Sequence, residues 1–142
     1  MKKAKKQNLR HSFTLIEVVI VIVILVTLAS IATPMYMNYI KNANIGAAKS
    51  QIKLLVDAVN GYKLAYKDYP QGENGLQALV ENVEDKENWT PSLQGALPKD
   101  PWGNDYIYKC PGDENRPFEI ISYGADGEPG GEDENADINS WE

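Results

Sequence analysis

Seven acidic residues crowd the last 17 positions of the chain: Asp126, Glu128, Glu132, Asp133, Glu134, Asp137 and Glu142. Glycines at 124, 127, 130 and 131 interrupt the run, and no basic residue follows Arg116. A hard cation such as Ca²⁺ takes roughly six to eight oxygens from carboxylates, amides and main-chain carbonyls on an adaptable loop, and this stretch has them. The spacing is not that of an EF-hand, which needs alternating acids before a glycine and two flanking helices. A run of like charges equally describes a solvated tail, because the charges repel one another. Against that stand Ile138 and Trp141, apolar residues able to dock on a folded body. The residues alone leave both readings open.

The second residue with chemical potential is Glu17, the one charge in residues 13–32, FTLIEVVIVIVILVTLASIA. A carboxylate inside a membrane helix costs a few kcal/mol at mid-bilayer and by default suggests function. Close to the helix start it costs less and complements the positive end of the helix dipole. Catalysis finds little elsewhere. His11 is the only histidine and Cys110 the only cysteine, so a His-dependent hydrolase, a zinc site with His ligands and an internal disulfide are all disfavoured.

These residues need elements to hold them. At ~1.5 Å rise per residue, residues 13–32 form a helix of about 30 Å, the thickness of a bilayer's hydrocarbon core. Their Val and Ile favour strands in water, but lipid forces a helix because a lone strand would leave its backbone unpaired. Residues 1–12, MKKAKKQNLRHS, hold five of the 14 basic residues and no acid. By the positive-inside rule that end stays in the cytoplasm and the remainder crosses. Removing those five charges would take the net charge from −6 to about −11, which argues against nucleic-acid binding.

A short basic leader followed by S-FTLIEVVIVIVIL, with a glutamate at the fifth apolar-block position, resembles the class III signal of type IV pilins and type II secretion pseudopilins. The resemblance implies that a prepilin peptidase cuts between Ser12 and Phe13 and that Phe13 becomes N-methylated. It also implies that Glu17 pairs with the amine of a neighbouring subunit's Phe13 in a helical filament. Ser12 stands where that family almost always has glycine.

Beyond this block, Pro34 predicts a kink or local melting. Residues 35–66 turn amphipathic, with Ile52, Leu55, Val56, Val59 and Tyr66 near a 3.6-residue stripe and Lys49, Lys53, Asp57 and Lys63 mostly off it. The run Lys67-Asp68-Tyr69-Pro70 stops the helix. Residues 71–83 read as a short second helix through Leu76, Leu79, Val80 and Val83. Pro91, Gly95 and Pro98 mark a loop. Strands are expected at residues 106–110 and 118–122, with a third extended piece from the loop. The fold class is α+β: a long N-terminal helix, transmembrane in its first half, packed on a small antiparallel sheet with a short second helix and a C-terminal calcium loop. Its parts are a leader (1–12), a transmembrane and filament-core segment (13–34) and a head (35–142).

The run Asp100-Pro101-Trp102-Gly103-Asn104-Asp105-Tyr106 closely resembles the DPWGNxY signature of the major pseudopilin of type II secretion. As local chemistry it is a turn delivering a strand, with Trp102 capping the core. The resemblance further implies a calcium loop in which Asp126 and Asp133 are acidic ligands and the Tyr123 main-chain carbonyl is another. Glu134 and Asp137 then compete for one remaining role. The implied function is a structural subunit, not an enzyme: a homopolymer in the periplasmic pseudopilus, anchored in the inner membrane until assembly, with its head in the periplasm. Minor pseudopilins, the assembly platform, the prepilin peptidase and lipid are the implied partners, and nucleic acid is not one. The alternatives are a type IV pilin making a surface fibre and a membrane-anchored binding or enzyme domain.

Overall fold

The computed structural model describes residues 13–142. These fall into two compact units that divide between Asn38 and Tyr39. The leader, with Ser12 as one side of the expected cleavage position, lies outside the described residues.

A single helix, α1 (Leu15–Tyr66), accounts for 52 residues. In the first unit every described residue is exposed, and the side chains are apolar on all sides. The few hydroxyls there are spent within the helix: Thr27, Ser30 and Thr33 donate to the carbonyls of Ile24, Thr27 and Ala29 at 2.7–2.8 Å. A surrounding without water requires such self-pairing. The helix continues through Pro34, so of the kink or local melting expected there the melting is absent. A proline deletes one amide donor, and the turns before and after it keep theirs.

In the second unit α1 becomes one wall of a core. Ala48, Ile52, Leu55, Val59 and Tyr62 are at most 3% exposed. They pack with Leu76, Leu79, Tyr106, Tyr108, Ile120 and Ile138. Val56 and Tyr66, assigned to the stripe from sequence, sit half-buried at its margins, and the bulky centre is Tyr62 instead. The helix ends where Lys67 adopts a left-handed φ of 64° and its N–H bonds to the Lys63 carbonyl at 2.7 Å.

The expected second α-helix is a five-residue 3₁₀ helix, Gly75–Leu79. The Tyr108 ring lies so close over Gly75 that any Cβ would collide with it. Asn74 also provides no side-chain cap. The segment is therefore a tight turn that drives Leu76 and Leu79 inward, while Val83 is left 51% exposed.

Three strands make an antiparallel sheet in the order β1 (Ile107–Lys109), β2 (Glu119–Ser122), β3 (Ile138–Asn139). Tyr108 faces Ile120, and Ser122 faces Ile138. The third strand comes from the acidic tail, not from the loop before β1, because Ile138 is the apolar residue there that can reach the core. All four residues of β2 are buried, Glu119 and Ser122 included. Glu119 accepts from Arg116 Nη1 and the Asp113 N–H, each at 2.8 Å, which offsets the cost of burying its charge. Tyr106 bonds Gln51 Oε1 and Tyr108 bonds the Pro70 carbonyl. Burial pushes both phenols well above their usual range, and for Tyr106 the nearby Asp100 carboxylate adds to it.

Truncating Leu79 to alanine should cost about 2–5 kcal/mol by leaving a cavity. The same change at Leu64, which is 86% exposed, should shift stability by less than about 0.5 kcal/mol. Thermal unfolding followed by circular dichroism separates the two.

Candidate assembly segment and acidic loop

The first turn of α1 is closed by its own side chains. Glu17 Oε2 accepts from the Thr14 N–H at 2.8 Å and the Thr14 hydroxyl at 3.0 Å, and Thr14 Oγ1 accepts from the Glu17 N–H at 3.3 Å. This is a reciprocal capping box, written in the sequence as T-x-x-E. Thr14 is a functional partner of Glu17 that the expectations for this segment did not include, although the signal lies within four residues. Phe13, immediately before, is 87% exposed. From there the uncovered apolar surface runs through the whole first unit, on a helix long and apolar enough to cross a membrane. It fits a single-pass membrane anchor.

The Asp100 turn organises the other candidate site. Asp100 is 4% exposed, yet its carboxylate has three donors: the Ser122 hydroxyl at 2.7 Å and the N–H groups of Asn104 (2.8 Å) and Trp102 (3.1 Å). Held in this turn, Asn104 and Trp102 reach the acidic loop. Asn104 Nδ2 donates to the Gly124 carbonyl at 2.9 Å, and the Trp102 indole N–H donates to Glu134 Oε1 at 3.1 Å. Trp102 is thus both a half-buried core neighbour, as expected, and a hydrogen-bond donor to the tail. No local sequence signal links positions 102 and 134.

The loop itself doubles back. Its two arms meet where the Ala125 N–H bonds the Glu134 carbonyl at 2.9 Å. Gly124 and Gly131 make this possible, and both have positive φ. A Cβ on Gly124 would lie 2.6 Å from the Glu134 carbonyl oxygen of the other arm, and one on Gly131 would lie 2.5 Å from the Asn135 carbonyl oxygen within the 3₁₀ turn of its own arm. The four candidate carboxylates are placed differently. Asp126 Oδ1 accepts from the Glu128 N–H at 3.1 Å, and Asp137 Oδ1 accepts from the Gly130 N–H at 2.9 Å. Glu134 is engaged on both oxygens, by Trp102 and by an ion pair with Lys41 at 3.5 Å. Asp133 sits at a left-handed φ of 55° at the start of a 3₁₀ turn and makes no side-chain hydrogen bond among the described residues. Tyr123, whose carbonyl is the remaining candidate donor, directly follows β2.

Among the described residues, no three carboxylates are gathered as a metal-binding group. The donor chemistry still suits a hard cation. Asp126, Asp133 and Asp137 each keep at least one carboxylate oxygen without a protein donor among the described residues, on a folded loop with no basic residue of its own.

Because Asn104 is the loop's fixed point, Asn104→Ala should loosen it by about 1–3 kcal/mol. Amide exchange over residues 124–137 should accelerate accordingly, while that of α1 stays unchanged.

Two family profiles match the chain. "Type II secretion system (T2SS), protein G" covers residues 35–141, and "Prokaryotic N-terminal methylation motif" covers residues 7–33. The type II secretion system core protein G of Pseudomonas aeruginosa is 43% identical over 138 residues, covering 94% of this chain and 96% of that one. The core protein G of Escherichia coli K12 is 38% identical over 149 residues, covering 99% and 95%. The crystal structure of the major pseudopilin from the type 2 secretion system of enterohaemorrhagic E. coli superposes with a TM-score of 0.60. It has 34% identity and covers 74% of this chain and 92% of that one. An apolar helix opened by a methylation motif, a three-stranded head and the Asp100 turn therefore occur together in a chain that belongs to the protein G family of type II secretion, the major pseudopilins.

Proposed function

We propose that this chain is stored in the inner membrane as a single-pass protein with its head in the periplasm, and that it polymerises from there into a pseudopilus that drives folded proteins outward. The observation that carries this is the uncovered apolar helix of the first unit, in a chain whose family is a structural subunit of the secretion system and not an enzyme. Apolar side chains on every side of a helix must be covered by lipid or by other helices, and copies of the same segment can replace lipid without loss of apolar contact. The family assignment favours this over a type IV surface fibre and over an anchored enzyme.

Cleavage between Ser12 and Phe13 exposes a cationic amine one residue before the Thr14 cap. The Glu17 carboxylate of a neighbouring copy is its natural counter-charge, since in lipid an ion pair offsets what either charge alone would cost. Serine before the cut keeps the position small, and methylation leaves the amine charged. The peptidase, the assembly platform and the minor pseudopilins are the partners that such processing and growth require.

The acidic loop is the candidate calcium site. The carboxylate of Asp133, the second oxygen of Asp126 and the Tyr123 carbonyl are donors free of other protein partners among the described residues. The second oxygen of Asp137 could join them, whereas Glu134 would have to leave Lys41 and Trp102. When bound, the ion would supply positive charge to a loop that otherwise repels itself, as a disulfide fixes a loop elsewhere. With Cys110 as the sole cysteine, this chain has no such bridge.

Three measurements test these readings. Glu17→Val should abolish pelletable filaments, whereas Thr14→Ala, which removes the cap and keeps the charge, should retain them. Normal filaments from Glu17→Val would remove the pairing role, and mass spectrometry of the mature N-terminus should find methylated Phe13. Chelation should lower the melting temperature of the full chain in detergent. At a calcium level of 100 times Kd the loss should be about 2.7 kcal/mol, and an unchanged melting curve would dismiss the ion.

A further inference from the structure

Charge in the second unit is sharply divided. Residues 39–67, all but the last on α1, carry Lys41, Lys49, Lys53, Lys63 and Lys67 against Asp57 alone. Residues 68–142 carry eighteen acids against four bases. Those four bases and Lys41 each pair with an acid of their own chain. Lys49 and Lys53 make no ion pair among the described residues, although both are exposed.

Two grooves open on the second unit, both against α1. One, of about 430 Å³, is lined on the helix by Lys49, Ile52, Lys53 and Val56, and opposite by Asn139 of β3, Ser140 and Glu142, whose carboxylate accepts from Asn139 Nδ2 and leaves both lysines unpaired. Its lysines and Val56 follow helical spacing along one flank. The other, of about 340 Å³, lies on the Leu55 side of the stripe. Its floor is the buried Leu55, Leu76 and Tyr106, and its rim carries exposed Glu73 and Asp105. Glu73 makes no ion pair among the described residues, and Asp105 has only the exposed Lys99.

We propose that these grooves are the two halves of a head-to-tail contact between copies of this chain. The Lys49/Lys53 groove of one copy receives the Glu73/Asp105 edge of the next. This rests on the polymer reading above and specifies which surfaces of the head meet. The occupant is a second copy because each chain carries both members of a complementary pair in two separate grooves, the unpaired Lys49 and Lys53 in one and Glu73 and Asp105 in the other. Opposite charge on different patches makes the contact heterologous, so each copy keeps one edge free for the next, and repetition gives an open helical array. Charge complementarity of this kind sets register and polarity more than it adds affinity. It also predicts assembly that weakens as salt rises.

The experiment uses the full chain in its native membranes, in a Cys110→Ser background. Lys53→Cys and Glu73→Cys in one chain, treated with a short bis-maleimide, should give a ladder of dimers, trimers and longer species. Either cysteine alone should give monomer. Separately, Lys53→Glu or Glu73→Lys should each lower sheared polymer by about tenfold, and the two changes in one chain should restore it. Both positions are exposed, so unchanged melting curves will show that the fold is intact. Dimers from a single cysteine would replace the head-to-tail contact with a symmetric one. An absent ladder, or full polymer from both charge reversals, would overturn the proposal if micrographs still show normal filaments. If the native chain forms no filaments, the polymer reading falls and the docking proposal falls with it.

Discussion

The constraint on which everything rests is that one helix serves two solvents. Over its first part α1 is apolar on all sides, and over its second part it is apolar on one face only. The change happens within one continuous helix, which loses a single amide donor at Pro34. An all-round apolar helix cannot remain in water, so the first unit demands a non-aqueous cover. A one-sided helix cannot remain unpartnered, so the second unit demands a core. Residues 68–142 supply that core, and their own strands are too short to stand alone.

Within the second unit the buried Asp100 is the joint between the sheet and the tail. Its carboxylate ties β2 through Ser122 and sets the turn from which Asn104 and Trp102 grasp the loop. Two motifs that are separate in the sequence are therefore one device, a turn that receives a loop. Glu134 is the contested member. It contacts Lys41 and Trp102, so a cation that recruited it would first have to break both contacts.

Much of this was legible from residue order. The apolar block, the amphipathic stripe, the helix stop before Pro70 and the first two strands follow from periodicity and breakers. What escaped depended on contacts distant in sequence. The helix expected over 71–83 shrank to a 3₁₀ turn because a tyrosine more than thirty positions later lies against Gly75. The third strand was missed because a two-residue segment in a run of acids carries almost no period. Trp102 reads as core filler until Glu134 is placed beside it. Thr14 is the exception: its partner is only three residues away, and attention to membrane charge obscured a plain capping signal.

β3 is the last element in chain order, yet it pairs with β2 and buries Ile138 in the core. The sheet thus cannot be completed until every other element has been synthesised. Without Ile138, β2 has one edge unpaired beyond Ile121 and the core lacks an apolar side chain. The tail is therefore the latch of the head: its docking finishes both the sheet and the core.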